Sequence, residues 1–180
     1  METTPADPTP APDVLLTRLD DSQVALGSLW REGPLLLYFM RHLGCALCRA
    51  HLRELVDAYP QFQQRGLQVA AITFADPVST SFVRQTQLVP FPMYYDMPRA
   101  VYQAFGMYEG TFGDVLNLNV LAKQLQLIPK GFIPSIGLRA NIRQLGGSVV
   151  IDRAGLIRMH HLAHPIDRYP TTEQYLAALG

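Results

Sequence analysis

The sequence predicts a single α/β domain, a three-layer α/β/α sandwich around a central mixed sheet, and three observations carry that expectation. Two short, largely apolar runs, Pro34–Met40 and Leu67–Phe74, flank a stretch with apolar residues at helical spacing. That is the pattern of a βαβ unit whose strands are covered on both faces. Near the C-terminus, Ser148–Asp152 and Leu156–His160 are joined by the short loop Arg153-Ala-Gly155, the signature of an antiparallel hairpin. With 180 residues, 48% hydrophobic and 17% charged, the chain suffices for one such core and lacks the composition of disorder.

Each element has a local reason. Residues 1–13 hold Pro5, Pro8, Pro10 and Pro12, which remove backbone donors and offer nothing to bury, so they read as a flexible tail before one domain over 14–180. From Val14 to Leu26, short apolar stretches around Asp20-Asp21-Ser22 predict an N-terminal hairpin extension at one edge of the sheet. Pro34–Met40 is too short for a stable helix and reads as a central parallel strand. Beyond Gly44, the positions Leu47, Leu52, Leu55, Val56 and Tyr59 predict a helix ending at Pro60 or Gly66. Leu67–Phe74 is the second strand, and Pro77, suited to a first helical position, opens a helix to Leu88. Pro92–Tyr95 reads as a short strand, and Arg99–Phe105 as a short helix capped by Gly106. Thr171 with Gln174 forms a capping box for a last helix carrying Tyr175, Leu176 and Leu179.

Parallel strands first, an antiparallel hairpin last and helices on both faces make the arrangement thioredoxin-like. The segment 114–136 is a helical insertion before the last hairpin, with Val115, Leu118, Leu121, Leu125 and Ile128 on one stripe and a Pro/Gly-broken stretch behind them. It reads as a lid, a pocket wall or a subunit contact, the last implying a homodimer.

Fifteen basic and fifteen acidic residues give a formal net charge of zero, which provides no field for a polyanion, so nucleic acid is not an expected partner. No apolar run approaches the ~20 residues needed to cross a bilayer, so no membrane span is expected. The start, Met1-Glu2-Thr3-Thr4-Pro5, lacks the basic stretch and apolar block of a secretion signal, and a cytoplasmic location is the expectation.

The two cysteines, Cys45 and Cys48, carry the chemistry. A bridge between them closes a tiny loop and would be a weak staple. They lie in Arg41-His42-Leu43-Gly44-Cys45-Ala46-Leu47-Cys48-Arg49, after a buried strand and on the first turn of a helix. Free N–H groups and the helix dipole favour an anion there, and Arg41, His42 and Arg49 add positive charge. Cys45, nearer the helix end, is expected to be the thiolate and Cys48, one turn in, the resolving thiol. In the cycle, Cys45 attacks a peroxide oxygen or a disulfide sulfur, the Cys45–Cys48 bridge closes, and an external thiol reopens it, with no metal or organic cofactor. Competing readings are a pair of core-filling cysteines, a zinc site using His42, Cys45, Cys48 and His51, which the spacing crowds along one helix, and a non-catalytic redox-sensing module in which the bridge alters the 114–136 surface.

These residues resemble the peroxiredoxin-like AhpC/TSA antioxidant family of the thioredoxin fold. The resemblance rests on Gly44–Arg49 after a buried strand, on Gln144-Leu145-Gly146-Gly147 leading into Ser148–Asp152, and on a His-rich strand before the final helix. It spans about residues 14–179 and implies a thiol oxidoreductase acting on a peroxide, an endoperoxide or a disulfide, with a thioredoxin-type reductant as partner. True peroxiredoxins carry Pro-x-x-x-Thr-x-x-Cys and an Arg just before the penultimate strand. Here Tyr38 and His42 hold the Pro and Thr positions and Gly146 and Gly147 the Arg region, so Arg143, or else Arg139, is expected to reach the thiolate. His160, His161 and His164 read as structural, since strand alternation sends His160 and His161 to opposite faces. Tyr94, Tyr95, Tyr102, Phe105 and Tyr108 read as core and pocket wall.

Overall fold

The computed structural model describes residues 9–115, 118–134 and 141–180. The chain runs β1 (Thr9–Pro10), β2 (Leu15–Arg18), β3 (Gln23–Ala25), α1 (Leu26–Glu32), β4 (Leu35–Phe39), α2 (Ala46–Gln64), β5 (Gln68–Thr73), α3 (Pro77–Thr86), β6 (Met93–Tyr95), α4 (Ala100–Ala104), α5 (Phe112–Val115), α6 (Leu118–Leu127), a 3-10 turn (Ile128–Lys130), β7 (Gly147–Ile151), β8 (Leu156–Leu162) and α7 (Thr172–Ala177).

The strands form one mixed sheet in the order β1-β8-β7-β4-β5-β6-β2-β3. β4, β5 and β6 run parallel, and β7 lies antiparallel to β4 on its other side. β4 is buried along its whole length, because strand alternation divides it between two cores. Leu36 and Tyr38, with Met40, pack beneath α2 against Leu52, Leu55 and Phe62. Leu35, Leu37 and Phe39 pack on the opposite face against Trp30, Tyr102 and Phe105. Covering both faces is what makes the three layers, and the fold is the thioredoxin-like sandwich.

The βαβ unit, the edge hairpin β2–β3 and the closing hairpin β7–β8 stand where the sequence places them. Two features differ. The sheet begins inside the segment expected as tail: Thr9 and Pro10 pair with Ile157 and Leu156, and Asp13 accepts the Gly27 N–H at 2.8 Å. Residues 1–8 of that tail lie outside the described residues. α1 lies in a stretch for which the sequence predicts no element, a helix of seven residues and so too short to show periodicity. Of the two expected stops, α2 passes through Pro60, which removes one N–H, and ends at Gln64, where the chain turns through Gly66 at φ +69°.

Within the insertion, Lys123, Gln126, Leu127 and Lys130 line a cleft against α2. α6 packs on α2 through Val120 and Leu127, while Leu118, Leu121, Leu125 and Ile128 are exposed. The expected stripe therefore faces outward, because the inward contacts fall at the intervening positions 120 and 127. The Val115 side chain and residues 135–136 lie outside the described residues.

The loop before β7 comes close to the end of β4. A Cβ on Gly146 would collide with the Phe39 carbonyl and press on Arg41, and one on Gly147 would collide with the His161 carbonyl. Two glycines are what allow this approach, and they bring residues 142–145 beside the start of α2.

Candidate active site

β4 ends at Phe39, the chain turns through Arg41–Gly44, and α2 starts with Cys45 as its N-cap. The turn closes with the Cys45 N–H donating to the His42 carbonyl at 3.0 Å. The Cys45 sulfur then accepts the Cys48 N–H at 3.4 Å, so one of the unpaired donors of the first helical turn points at sulfur. Both cysteines are free thiols, Cys45 3% exposed and Cys48 fully buried. Tyr38 donates its hydroxyl to the Cys48 carbonyl at 3.1 Å and fixes that turn from below.

Arg41 is the charge that meets the pair. Its guanidinium is 1% exposed and donates Nη1 to the Cys45 sulfur at 3.6 Å, Nε to the Gln144 carbonyl at 3.2 Å and Nη2 to the Ile142 carbonyl at 2.7 Å. A buried cation needs such partners, and the two carbonyls come from the loop that Gly146 admits.

The two thiols titrate as a unit. Burial pushes the Cys48 thiol up, but its hydrogen bond with Cys45, the Arg41 charge and the Tyr169 hydroxyl outweigh that and bring it down to about 6. Cys45 moves the other way: the hydrogen bond with Cys48, burial and the Cys48 charge push it well above the usual thiol range, against Arg41 and the Cys48 N–H. The shifts lean the charge toward Cys48, where the sequence expects it on Cys45. Arg41, the Cys48 N–H and the Tyr169 hydroxyl all stand where they favour a negative charge on the pair.

Other predicted residues take different places. Arg143 does not reach the thiols: its Nε donates to the Gly110 carbonyl at 3.1 Å, its Nη2 lies 3.4 Å from Glu109, and its guanidinium covers the Phe112 ring. Pairing of Glu109 with Gln144, and of the Gly110 N–H with the Arg143 carbonyl, turns that side chain outward. Arg139 lies outside the described residues. His42 supplies no positive charge at neutral pH, because burial and the neighbouring Arg41 and Arg49 charges lower it to about 4. Arg49 reaches away from the sulfurs to the Ile133 carbonyl and ties α2 to the insertion. Gly44 sits in the turn before Cys45. His160, His161 and His164 bond the Phe105 carbonyl, the Arg168 carbonyl and the Asp114 carboxylate.

The zinc arrangement does not assemble. His51 directs Nδ1 to Glu54 at 2.8 Å and Nε2 to Tyr175 at 3.1 Å, so both its nitrogens are engaged away from sulfur. Among the described residues no cluster of three or more His, Cys, Asp or Glu side chains is placed to hold a metal, and no helix is long and apolar enough to cross a membrane.

Sequence reasoning missed Tyr169, whose hydroxyl lies 3.6 Å from the Cys48 sulfur. It also walls a cleft of about 570 Å³ between α2, α6 and the loop before α7, lined further by Leu47, His51, Glu54, Lys123 and Leu127. No local signal marks it, since 121 residues separate it from Cys48. Arg41, by contrast, was legible as the basic residue nearest the end of the buried strand.

Known proteins share this frame. A sequence model described as the AhpC/TSA family matches residues 8–160. A prostamide/prostaglandin F synthase of Salmo salar is 24% identical over 143 residues, 78% of this chain and 71% of that protein. Among solved structures, reduced Prx3 of Vibrio vulnificus in complex with hydrogen peroxide superposes with a TM-score of 0.69 at 16% identity, covering 96% of this chain and 97% of the other. The peroxidoxin BcpB of Mycobacterium tuberculosis gives 0.65 at 15% identity, covering 95% and 94%.

Proposed function

The chain belongs to the AhpC/TSA family and is a thiol oxidoreductase of the peroxiredoxin-like kind; from that premise we propose that Cys45 and Cys48 are its redox pair and that a peroxide or a disulfide is its substrate. The observation that carries the reading is the buried Arg41 guanidinium 3.6 Å from the Cys45 sulfur at the start of α2. Such a site favours a thiolate at neutral pH.

The cycle follows from the coupling of the two neighbouring thiols. Cys48 takes the proton of Cys45, and the charge on Cys45 is then received by Arg41 and the Cys48 N–H. With a peroxide, the Cys45 sulfur bonds the distal oxygen as the oxygen–oxygen bond breaks. The alkoxide leaves with the proton from Cys48, which gives a sulfenic acid on Cys45 and a thiolate on Cys48. Cys48 attacks the Cys45 sulfur, the disulfide forms and hydroxide leaves as water after taking a solvent proton. An external dithiol of thioredoxin type is oxidised to its own disulfide as it returns both thiols.

Cys45 is the attacking sulfur because it is the less buried of the two. The peroxide half of the substrate class is supported by the neighbour crystallised with hydrogen peroxide, and a small organic substrate by the name of the Salmo salar relative. A reducing compartment such as the cytoplasm suits a pair that must start as two thiols.

The test is turnover of hydrogen peroxide, or of a small organic peroxide or disulfide, coupled to a thioredoxin-type reductant, with wild type beside Cys45→Ser. Loss of turnover in the variant is expected; a variant as active as wild type overturns the assignment.

A further inference from the structure

Besides Arg41, the structure sets a tyrosine hydroxyl against the cysteine pair on a rigid support. The Tyr169 hydroxyl lies 3.6 Å from the Cys48 sulfur. Its ring lies flat on the His51 imidazole, with 4.3 Å between centroids and 13° between planes, and stands edge-on to Tyr38. His51 is buried and held at both nitrogens. Nδ1 meets the Glu54 carboxylate and Nε2 the Tyr175 hydroxyl, which donates to Ser148 Oγ on β7 at 2.9 Å. Tyr169 therefore rests on a side chain anchored to both α2 and the sheet.

We propose that Tyr169 is the hydrogen-bond donor that holds Cys48 as a thiolate, and that His51 is a positioning residue acting through the stacked ring. Burial and the nearby sulfurs keep the Tyr169 phenol protonated far above its ordinary range, so its proton is available to sulfur throughout the neutral range. A hydrogen bond to a charged acceptor is stronger than one to a neutral acceptor, and it favours the ionised form of that acceptor. In the redox cycle this keeps the resolving sulfur in the ionised form that attacks the oxidised Cys45.

The groups facing this hydrogen bond are defined. Arg41 and Cys45 approach from the start of α2, Tyr38 and Tyr102 from the sheet side. Glu54 meets His51, and the Lys123–Asp167 ion pair stands across the cleft. Arg41 is the formal charge that acts directly on Cys48, and the Tyr169 and His51 variants leave it in place.

The inference rests on the redox reading for its purpose, but its test needs no turnover. Thiolate ultraviolet absorbance of the reduced full chain is followed against pH for wild type, Tyr169→Phe, His51→Ala and His51→Phe. Tyr169→Phe keeps the ring and removes one oxygen, and is expected to move the first thiol ionisation up by about one pH unit. His51→Ala is expected to move it upward by less, and His51→Phe, which restores a flat ring under Tyr169, to bring it back toward wild type. An unmoved ionisation in Tyr169→Phe overturns the proposal. If Tyr169→Phe shifts and His51→Ala does not, the role of His51 is overturned. A pair that titrates as expected yet forms no disulfide with peroxide contradicts the redox cycle and leaves the Tyr169 assignment standing.

Discussion

The Arg41 guanidinium lies 3.6 Å from the Cys45 sulfur while its other two nitrogens donate to the Ile142 and Gln144 carbonyls. One side chain thus both charges the site and ties the turn before α2 to the loop before β7. Replacing it by methionine keeps the volume and removes the charge. Arg41→Met is expected to lower thiol alkylation at pH 7 by roughly tenfold or more, since an opposite charge at this range shifts a pKa by about 1–3 units. Alkylation of the reduced protein by iodoacetamide reads it.

The pH profile of the wild type follows from the direction of the Cys48 shift. Its thiol falls to about 6 in the folded chain, so the alkylation rate should rise through that pH and flatten above it. The sign for stability is the same. A thiol lowered on folding contributes stability that is fully present above the unfolded value and is lost as pH falls through the folded one. The reduced protein should therefore become more stable from pH 6 toward pH 8 in denaturant titrations, and Cys48→Ala should flatten that slope.

Removing the resolving sulfur separates the two steps. Cys48→Ser is expected to react once with hydrogen peroxide and then stop, leaving a sulfenic acid on Cys45 that a dimedone-type reagent captures. Wild type should show far less captured adduct, because its bridge closes.

Gly146 tests the fold around the site. A methyl group there meets the Phe39 carbonyl and the Arg41 backbone, atoms that cannot swing aside. Gly146→Ala is expected to destabilise the chain by about 1–3 kcal/mol, read as a lower urea midpoint, and to slow alkylation by disturbing Arg41.

Much of this architecture was legible because it is local. β4, β5 and the last hairpin show as short apolar runs between turn residues, and α2 and α7 show through periodicity and a capping box. β1 was hidden because two residues paired at a sheet edge leave no pattern in a proline-rich stretch. α6 showed its apolar stripe, but periodicity cannot say which face meets the protein, and Val120 and Leu127 decide it.

At the site, the Cys-x-x-Cys motif and Arg41 were readable from their place after a buried strand. The choice between Arg41 and Arg143 was not, because it depends on the pairing of Glu109 with Gln144. Tyr169 and His51 meet only through folding, across more than a hundred residues of chain.

The most direct measurement is peptide mapping by mass spectrometry after one equivalent of hydrogen peroxide is added to the reduced protein, before and after a thioredoxin-type reductant. The predicted result is a cross-link within the peptide bearing Cys45 and Cys48 that the reductant fully reopens. Two thiols left free, or Cys45 carried on to sulfinic acid with no cross-link, would contradict the redox pair.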